Sequence, residues 1–206
     1  MRCPSAHRNH RSMPWEKQFD VDTALARAGE TFWAKGYEAT SMCDLMEAMG
    51  IQKGSFYDTY GSKREAYLMA LDQYVNTHCA DFRARVENEP PKRAIEKHLN
   101  DIFEDCVGAD GHRGCMVINC ALELAHSDPD AQKLVGRAFK IHEKFFAERI
   151  VAAQEADEIP AEIDATATAK AILAIVMGMR VYSRAGASRA TLRTLIDQAK
   201  ALIDPD

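Results

Sequence analysis

Thr40-Ser41-Met42-Cys43-Asp44-Leu45-Met46-Glu47-Ala48-Met49-Gly50-Ile51-Gln52-Lys53-Gly54-Ser55-Phe56-Tyr57-Asp58-Thr59-Tyr60-Gly61-Ser62-Lys63 reads as two short helices around a glycine, followed by the start of a third. Leu45 and Met49 set apolar groups one turn apart on the first of these helices. Gly50 supplies the backbone freedom for a sharp turn, and Ile51 and Phe56 lock the second helix onto the first. Gln52, Lys53, Ser55, Tyr57 and Thr59 are left facing outward, a set rich in groups that bond to base edges and phosphates. The pattern is that of a helix-turn-helix that reads double-stranded DNA.

Several of these residues also resemble a known signature. Gly50-Ile51, Lys53-Gly54-Ser55-Phe56-Tyr57, Tyr60-Gly61 and Ser62-Lys63 resemble the DNA-binding motif of the TetR family of one-component bacterial repressors. Phe32-Trp33-Ala34-Lys35-Gly36-Tyr37-Glu38-Ala39-Thr40-Ser41 is similar to the first helix of that family and the connection out of it. The resemblance spans roughly residues 20–70. It implies an all-α fold with an N-terminal three-helix helix-turn-helix head and a larger C-terminal helical body for ligand binding and dimerisation. DNA contacts would then fall to Thr40, Ser41, Gln52, Lys53, Gly54, Ser55, Tyr57, Tyr60 and Lys63. Two departures stand out. Gln52 occupies a position where relatives usually carry a capping Ser or Thr, so a cap worth ~1 kcal/mol is weakened, while Gln can instead pair with adenine N6 and N7. Asp58-Thr59 replaces residues that are usually aromatic or His, and an acid there repels the DNA backbone.

At 206 residues and a formal charge of −5, the chain has room for a small head and one larger body, and it is not a broad nucleic-acid binder. Nine basic and nine acidic side chains cancel within residues 1–66, so binding must rest on a few well-placed groups and on dimerisation. The expected organisation is a disordered tail over 1–13, a DNA-binding domain over 14–66 and a ligand-binding and dimerisation domain over 67–206. No apolar run approaches the ~20 residues of a membrane span, and no leader resembles a signal peptide, so the expected setting is cytoplasmic with no membrane. The six cysteines are then expected as reduced thiols.

Helical periodicity and stop signals supply the rest. Asp20 should cap a first helix that carries Val21, Ala24, Leu25, Ala28 and Phe32 and stops at Gly36. Ser62-Lys63-Arg64-Glu65 reads as a capping box that opens a long helix to about residue 88, ahead of Pro90-Pro91. As the one element expected in both head and body, this helix is the expected lever of induction. A half-buried helix follows from Lys92, then a flexible loop over Gly108–Gly114. The apolar segment Cys115–Leu124 should be enclosed. Asp128-Pro129 should start a helix that runs until Ile159-Pro160. The last two helices, about 162–185 and 189–203, carry more apolar surface than one body needs, which suits a homodimer through them.

His98, Phe103, Cys106, Cys115, Asn119, His142, Phe146, Met177 and Tyr182 fall on faces expected to point into the body, which the resemblance makes the pocket for a small-molecule inducer. Nothing points to a cofactor or a metal. Cys106, His112, Cys115 and Cys120 have the ligand types but not the paired spacing of a soft-metal site. Cys115 at a helix start invites a thiol-based electrophile or oxidant sensor, because unpaired helix amides favour a thiolate. Cys115 with His142 or His98 and Glu123 would be the parts of a hydrolase, although no spacing demands it. An adaptor that binds only protein is the remaining class. The expected function is a ligand-responsive DNA-binding regulator, a repressor released from a near-palindromic operator.

Overall fold

Asp20 accepts the Thr23 N–H at 2.6 Å and caps α1 (Val21–Lys35). The structure, a computed structural model, describes residues 19–204, and these form nine α-helices and no strand. The tail expected over 1–13 lies outside the described residues. α1 buries Ala24, Ala28 and Phe32 and ends at Gly36. α2 (Met42–Met49) opens on a capping box. The Ser41 hydroxyl accepts the Asp44 N–H at 3.1 Å, and the Asp44 carboxylate accepts the Ser41 N–H at 2.8 Å. Gly50, at φ +68°, turns the chain into α3 (Lys53–Tyr60). Leu45, Met49, Ile51 and Phe56 are all buried, so the helix-turn-helix packs as its apolar positions require.

α4 (Lys63–Val86) begins in the head and continues as a wall of the body. Ser62 caps it, but only that half of the expected box forms, because the Glu65 carboxylate lies against Gly61 instead. α5 (Pro91–Val107) buries Ala94, Ile95, His98, Leu99, Ile102, Phe103 and Cys106, the stripe its 3.6-residue repeat dictates. The Gly108–Gly114 connection is pinned rather than flexible. It folds into a 3₁₀ turn at Gly111–Arg113, and the Ser183 hydroxyl lies within donor reach of the Cys106 and Gly111 carbonyls at 2.7 and 2.8 Å.

α6 (Met116–Glu123) buries Met116, Val117, Asn119 and Cys120. Full enclosure does not hold, because Leu122 is 69% exposed on the side that no neighbouring helix of the chain covers. α7 (Pro129–Glu155) starts as expected at Asp128-Pro129 but stops ahead of Pro160. Asp157 adopts a left-handed φ of 56°, and the Glu158 N–H donates to the Ala153 carbonyl at 2.8 Å, a Schellman-type ending. α8 (Ala165–Arg184) and α9 (Arg189–Ala201) are capped by Asp164 and Ser188. By length and composition α8 is apolar enough to cross a membrane, contrary to the sequence expectation. It nevertheless packs on α7 and α9 through Ala169, Ile172, Val176 and Met179, which places it in the core of the body. Its opposite face, with Ala167, Ala171, Ala174, Val181 and Tyr182, is exposed on the single chain.

One ion pair staples the start of α4 to the start of α7. Arg64 reaches Asp128 through Nε at 2.5 Å and Nη2 at 2.7 Å, and it also reaches Asp130 at 2.8 Å. Arg64 holds the Asp128 carboxyl down at about 2, with the Ala131 and Asp130 amides adding to the effect. A depressed carboxyl stabilises the fold above its unfolded pKa of ~3.9 and loses that contribution as the pH falls through about 2. Asp128→Asn keeps a capping oxygen but removes the charge. It should lower the melting temperature by about 2–4 °C at pH 7, with the gap to the wild type closing between pH 4 and pH 2 in calorimetric scans over that range.

Candidate functional site

Two sites emerge, one on each side of a seam. On the head, Gln52, Lys53 and Gly54 are exposed along the start of α3, Tyr57 is 42% exposed, and Ser55 and Thr59 are half-buried. Gln52 sits at the N-cap with no side-chain capping bond, so its amide is available for another partner. A side chain at Gly54 would meet nothing within 4 Å, which leaves the backbone there open to close approach.

Three of the expected DNA contacts are otherwise engaged. Thr40 is 1% exposed and donates its hydroxyl to the Gly36 carbonyl at 2.6 Å, so its side chain holds the α1–α2 corner. Tyr60 is buried and donates to the Val21 carbonyl at 2.8 Å, closing the three-helix head. Ser41 is exposed, but its O–H donates to Asp44 at 2.7 Å within the α2 cap. Lys63 lies 4.5 Å above the Tyr37 ring with Nζ 3.5 Å from the Glu38 carbonyl, at the N-terminus of α4.

In the body, a cavity of about 420 Å³ opens between α4, α5, α7 and α8, within the ~300–1,000 Å³ range of small-molecule sites. His98, Cys115, His142 and Met177 line it. Phe103, Cys106, Asn119 and Phe146 do not. Phe103 packs beneath Arg193 and Arg189, the Cys106 backbone is tied by Ser183, Asn119 donates to the Arg113 carbonyl at 3.1 Å, and Phe146 is wholly buried behind His98. Tyr182 is 52% exposed on the outer face of α8, turned away from the cavity.

The cavity has two aromatic banks. Phe82 stacks on His98 at 4.5 Å and on His142 at 4.8 Å, while Tyr74 stacks on His78 at 3.8 Å beneath the edge of Trp33. Burial pushes His98 down to about 3, with His142 and Arg180 adding to it, and pushes His142 down to about 4, with Arg180 adding to it. Both rings are therefore neutral at physiological pH, and they share a contact of 3.5 Å between Nε2 of His98 and Nδ1 of His142. Trp33, Tyr74, His78, Phe82 and Arg180 are lining residues that the sequence reading missed as such. Arg180 carried a signal, being the one charged residue in the apolar run Ala171–Val181.

Trp33 also reveals how the head meets the cavity. Its indole N–H donates to the Gly114 carbonyl at 3.0 Å, and the Arg113 guanidinium lies 3.9 Å above its ring. Arg113 continues to the Glu30 carboxylate at 2.6 Å and the Glu30 carbonyl at 3.1 Å. Below it, the Glu123 carboxylate accepts the Tyr37 N–H at 2.7 Å. α4 is thus not the sole link between head and body, because the loop and α6 grip α1 directly.

Cys115 is half-buried at the N-cap of α6 without a capping bond, and Tyr74 donates to its sulfur at 3.8 Å. All five described cysteines are free thiols, and among the described residues no group of three or more His, Cys, Asp or Glu gathers as a metal site.

Comparison with known proteins agrees with both halves. Residues 24–67 match the family model for bacterial regulatory proteins of the tetR family, and residues 91–198 match the model for the C-terminal domain of LmrA/YxaF-like transcriptional regulators. The chain is 30% identical over 91% of its length to the HTH-type transcriptional regulator YezE of Bacillus subtilis, covering 98% of that protein. It is 31% identical over 84% of its length to the HTH-type transcriptional repressor ComR of Escherichia coli, covering 83% of it. Among solved structures it resembles a cysteine mutant of the TetR family regulator CifR complexed with 26-base-pair operator DNA, with a TM-score of 0.79, 26% identity and coverage of 90% and 97% of the two chains. A TetR regulator from Chloroflexus aurantiacus, at TM-score 0.81, 22% identity and coverage of 90% and 94%, supports the fold alone.

Because Gln52 makes no capping bond and faces outward, Gln52→Ala should leave the melting temperature within about 1 °C of the wild type while relaxing base preference at one operator position by ~1–3 kcal/mol. Thermal melts and a single-base operator substitution series check the two halves of that statement.

Proposed function

The chain belongs to the TetR family of bacterial transcriptional regulators, and from that premise we propose a cytoplasmic, homodimeric repressor that leaves its operator when a small molecule fills the α4–α8 cavity. One observation carries the proposal. The outward α3 face and the cavity are joined through Trp33, which belongs to the head yet lines the cavity. The head comprises about residues 14–66 and the body 67–206. Dimerisation uses α9 and the exposed apolar face of α8, to which Val181 and Tyr182 contribute.

Induction works through differential affinity. A ligand that favours one position of the Trp33–Gly114 contact shifts the spacing of the two heads, and ~1–3 kcal/mol of difference between the two states suffices. α4 carries the same displacement along its length. The chain acts by binding and not by turnover. Glu123, the acid a Cys115–His pair would need in that reading, accepts the Tyr37 amide instead, and the thiol-sensor alternative is not favoured over the non-covalent one.

A two-fold dimer copies its symmetry into DNA. Selection from a random pool should therefore return near-palindromes whose half-sites lie about one helical turn, ~34–36 Å, apart or a multiple of it. Recovery of asymmetric sites alone would contradict the proposed binding mode.

A further inference from the structure

The cavity lining holds one mostly buried cation, and its acids, Asp81, Asp101, Glu104, Asp105 and Asp110, lie exposed or half-exposed toward its mouth. Arg180 is 18% exposed, and among the described residues its side chain bonds only to Asp105, from Nη2 at 3.0 Å, using one of five N–H donors. Asp105 itself sits at the rim, 53% exposed, where water screens it. Three of the other acids near the mouth have cationic partners, while Asp81 lies exposed there without an ion pair among the described residues. Glu104 meets Arg189 at 3.1 Å, Asp110 meets Arg113 at 3.5 Å and Asp101 meets Arg85 at 3.9 Å. The rim acids are open to water and most are paired, whereas the guanidinium is mostly buried beside the apolar, aromatic lining, where the dielectric is lower.

The two inner histidines sense this charge. Burial is the main cause that lowers His98 and His142, and Arg180 adds to the lowering at both, whereas at His78, nearer the mouth, the Tyr74 carbonyl, Asp81 and Asp105 oppose it. A cation entering the cavity meets that repulsion, and an anion meets the reverse. The flat rings of Phe82, His98 and His142, with Tyr74 and His78, offer planar stacking surfaces on one side, and aliphatic groups such as Val75, Ile102, Leu173 and Val176 complete the apolar lining.

We propose that the cavity takes a planar aromatic carboxylate, its ring against the Phe82–His98–His142 bank and its carboxylate on the free N–H groups of Arg180. This assignment rests on the repressor reading for its regulatory meaning but not for its binding. A guanidinium and a carboxylate match as a fork, so affinity and orientation are set together. Arg180 lines the same cavity as Tyr74, Cys115 and Trp33, so an anion there sits beside the seam.

The test uses the full-length dimer and three isosteres that differ in charge: 2-naphthoate, 2-naphthalenemethanol and 2-naphthylmethylammonium. Calorimetric titration at pH 7 should give the acid about tenfold or more tighter binding than the alcohol, with the ammonium weakest. In Arg180→Gln the acid should fall to the affinity of the alcohol, while the alcohol stays within about twofold of its wild-type value, which also verifies the fold. Should Arg180→Gln not fold, Arg180→Lys decides, with a weakening of naphthoate alone expected, because the charge remains and the fork is lost. Alcohol or ammonium binding as tight as the acid, no binding by any of the three, or an acid preference that survives Arg180→Gln would overturn the assignment. Operator binding by the same preparation separates the two proposals. Acid selectivity without operator binding removes the repressor reading and keeps this one, and operator binding without acid selectivity does the reverse.

Discussion

The Glu123 carboxylate occupies the place where a side chain at residue 36 would stand. A Cβ built on Gly36 comes within 2.6 Å of Oε1, and Gly36 holds φ +90°, a conformation that other residues rarely adopt. The same carboxylate takes the Tyr37 amide. This contact fixes the C-terminal end of α1 against the body, and the Arg113–Trp33 stack fixes the turn before it. With α1 held at two points and α4 running out of the helix-turn-helix, the placement of α3 depends on residues of the body as well as on its own neighbours. The proposed recognition face and the cavity meet across this seam.

The cavity behind the seam is built from opposed costs. His98 is buried and His142 half-buried beside it, and both stay neutral because desolvation and the Arg180 charge disfavour protonation. Arg180 keeps its charge, since a guanidinium does not give up its proton in a protein. The result is a low-dielectric chamber with one fixed cation and stacked neutral rings. Cys115 belongs to its wall, half-buried under the Tyr74 hydroxyl.

Local signals were legible in the sequence because their physics is local. Asp20, Asp128 and Ser188 cap the helices they precede, and Leu45, Met49, Ile51 and Phe56 bury as their spacing demands. His98 and His142 point inward because their helices have one clear apolar face. Tyr182 and Arg180 show where that logic runs out. α8 is apolar almost all round, so its periodicity does not say which face meets the cavity, and the arginine points in while the tyrosine points out. Thr40 is one position from an exposed serine, yet it is claimed by the Gly36 carbonyl four residues back. The seam was beyond reach for a different reason. Trp33 and Gly114 are 81 residues apart and Tyr37 and Glu123 are 86 apart, with no pattern linking either pair. The pinned 108–114 turn likewise depends on Ser183, whose partners only the folded chain brings together.

If the seam carries the coupling, then occupying the head with DNA must be felt at the cavity wall, since linkage between two sites is reciprocal. The direct measurement is amide hydrogen exchange on the dimer, free and bound to its selected operator. The account predicts altered exchange at residues 108–116, on the far side of the Trp33–Gly114 contact, together with the changes in α3. Changes confined to α1 through α4, with the 108–116 amides exchanging identically in both states, would contradict it.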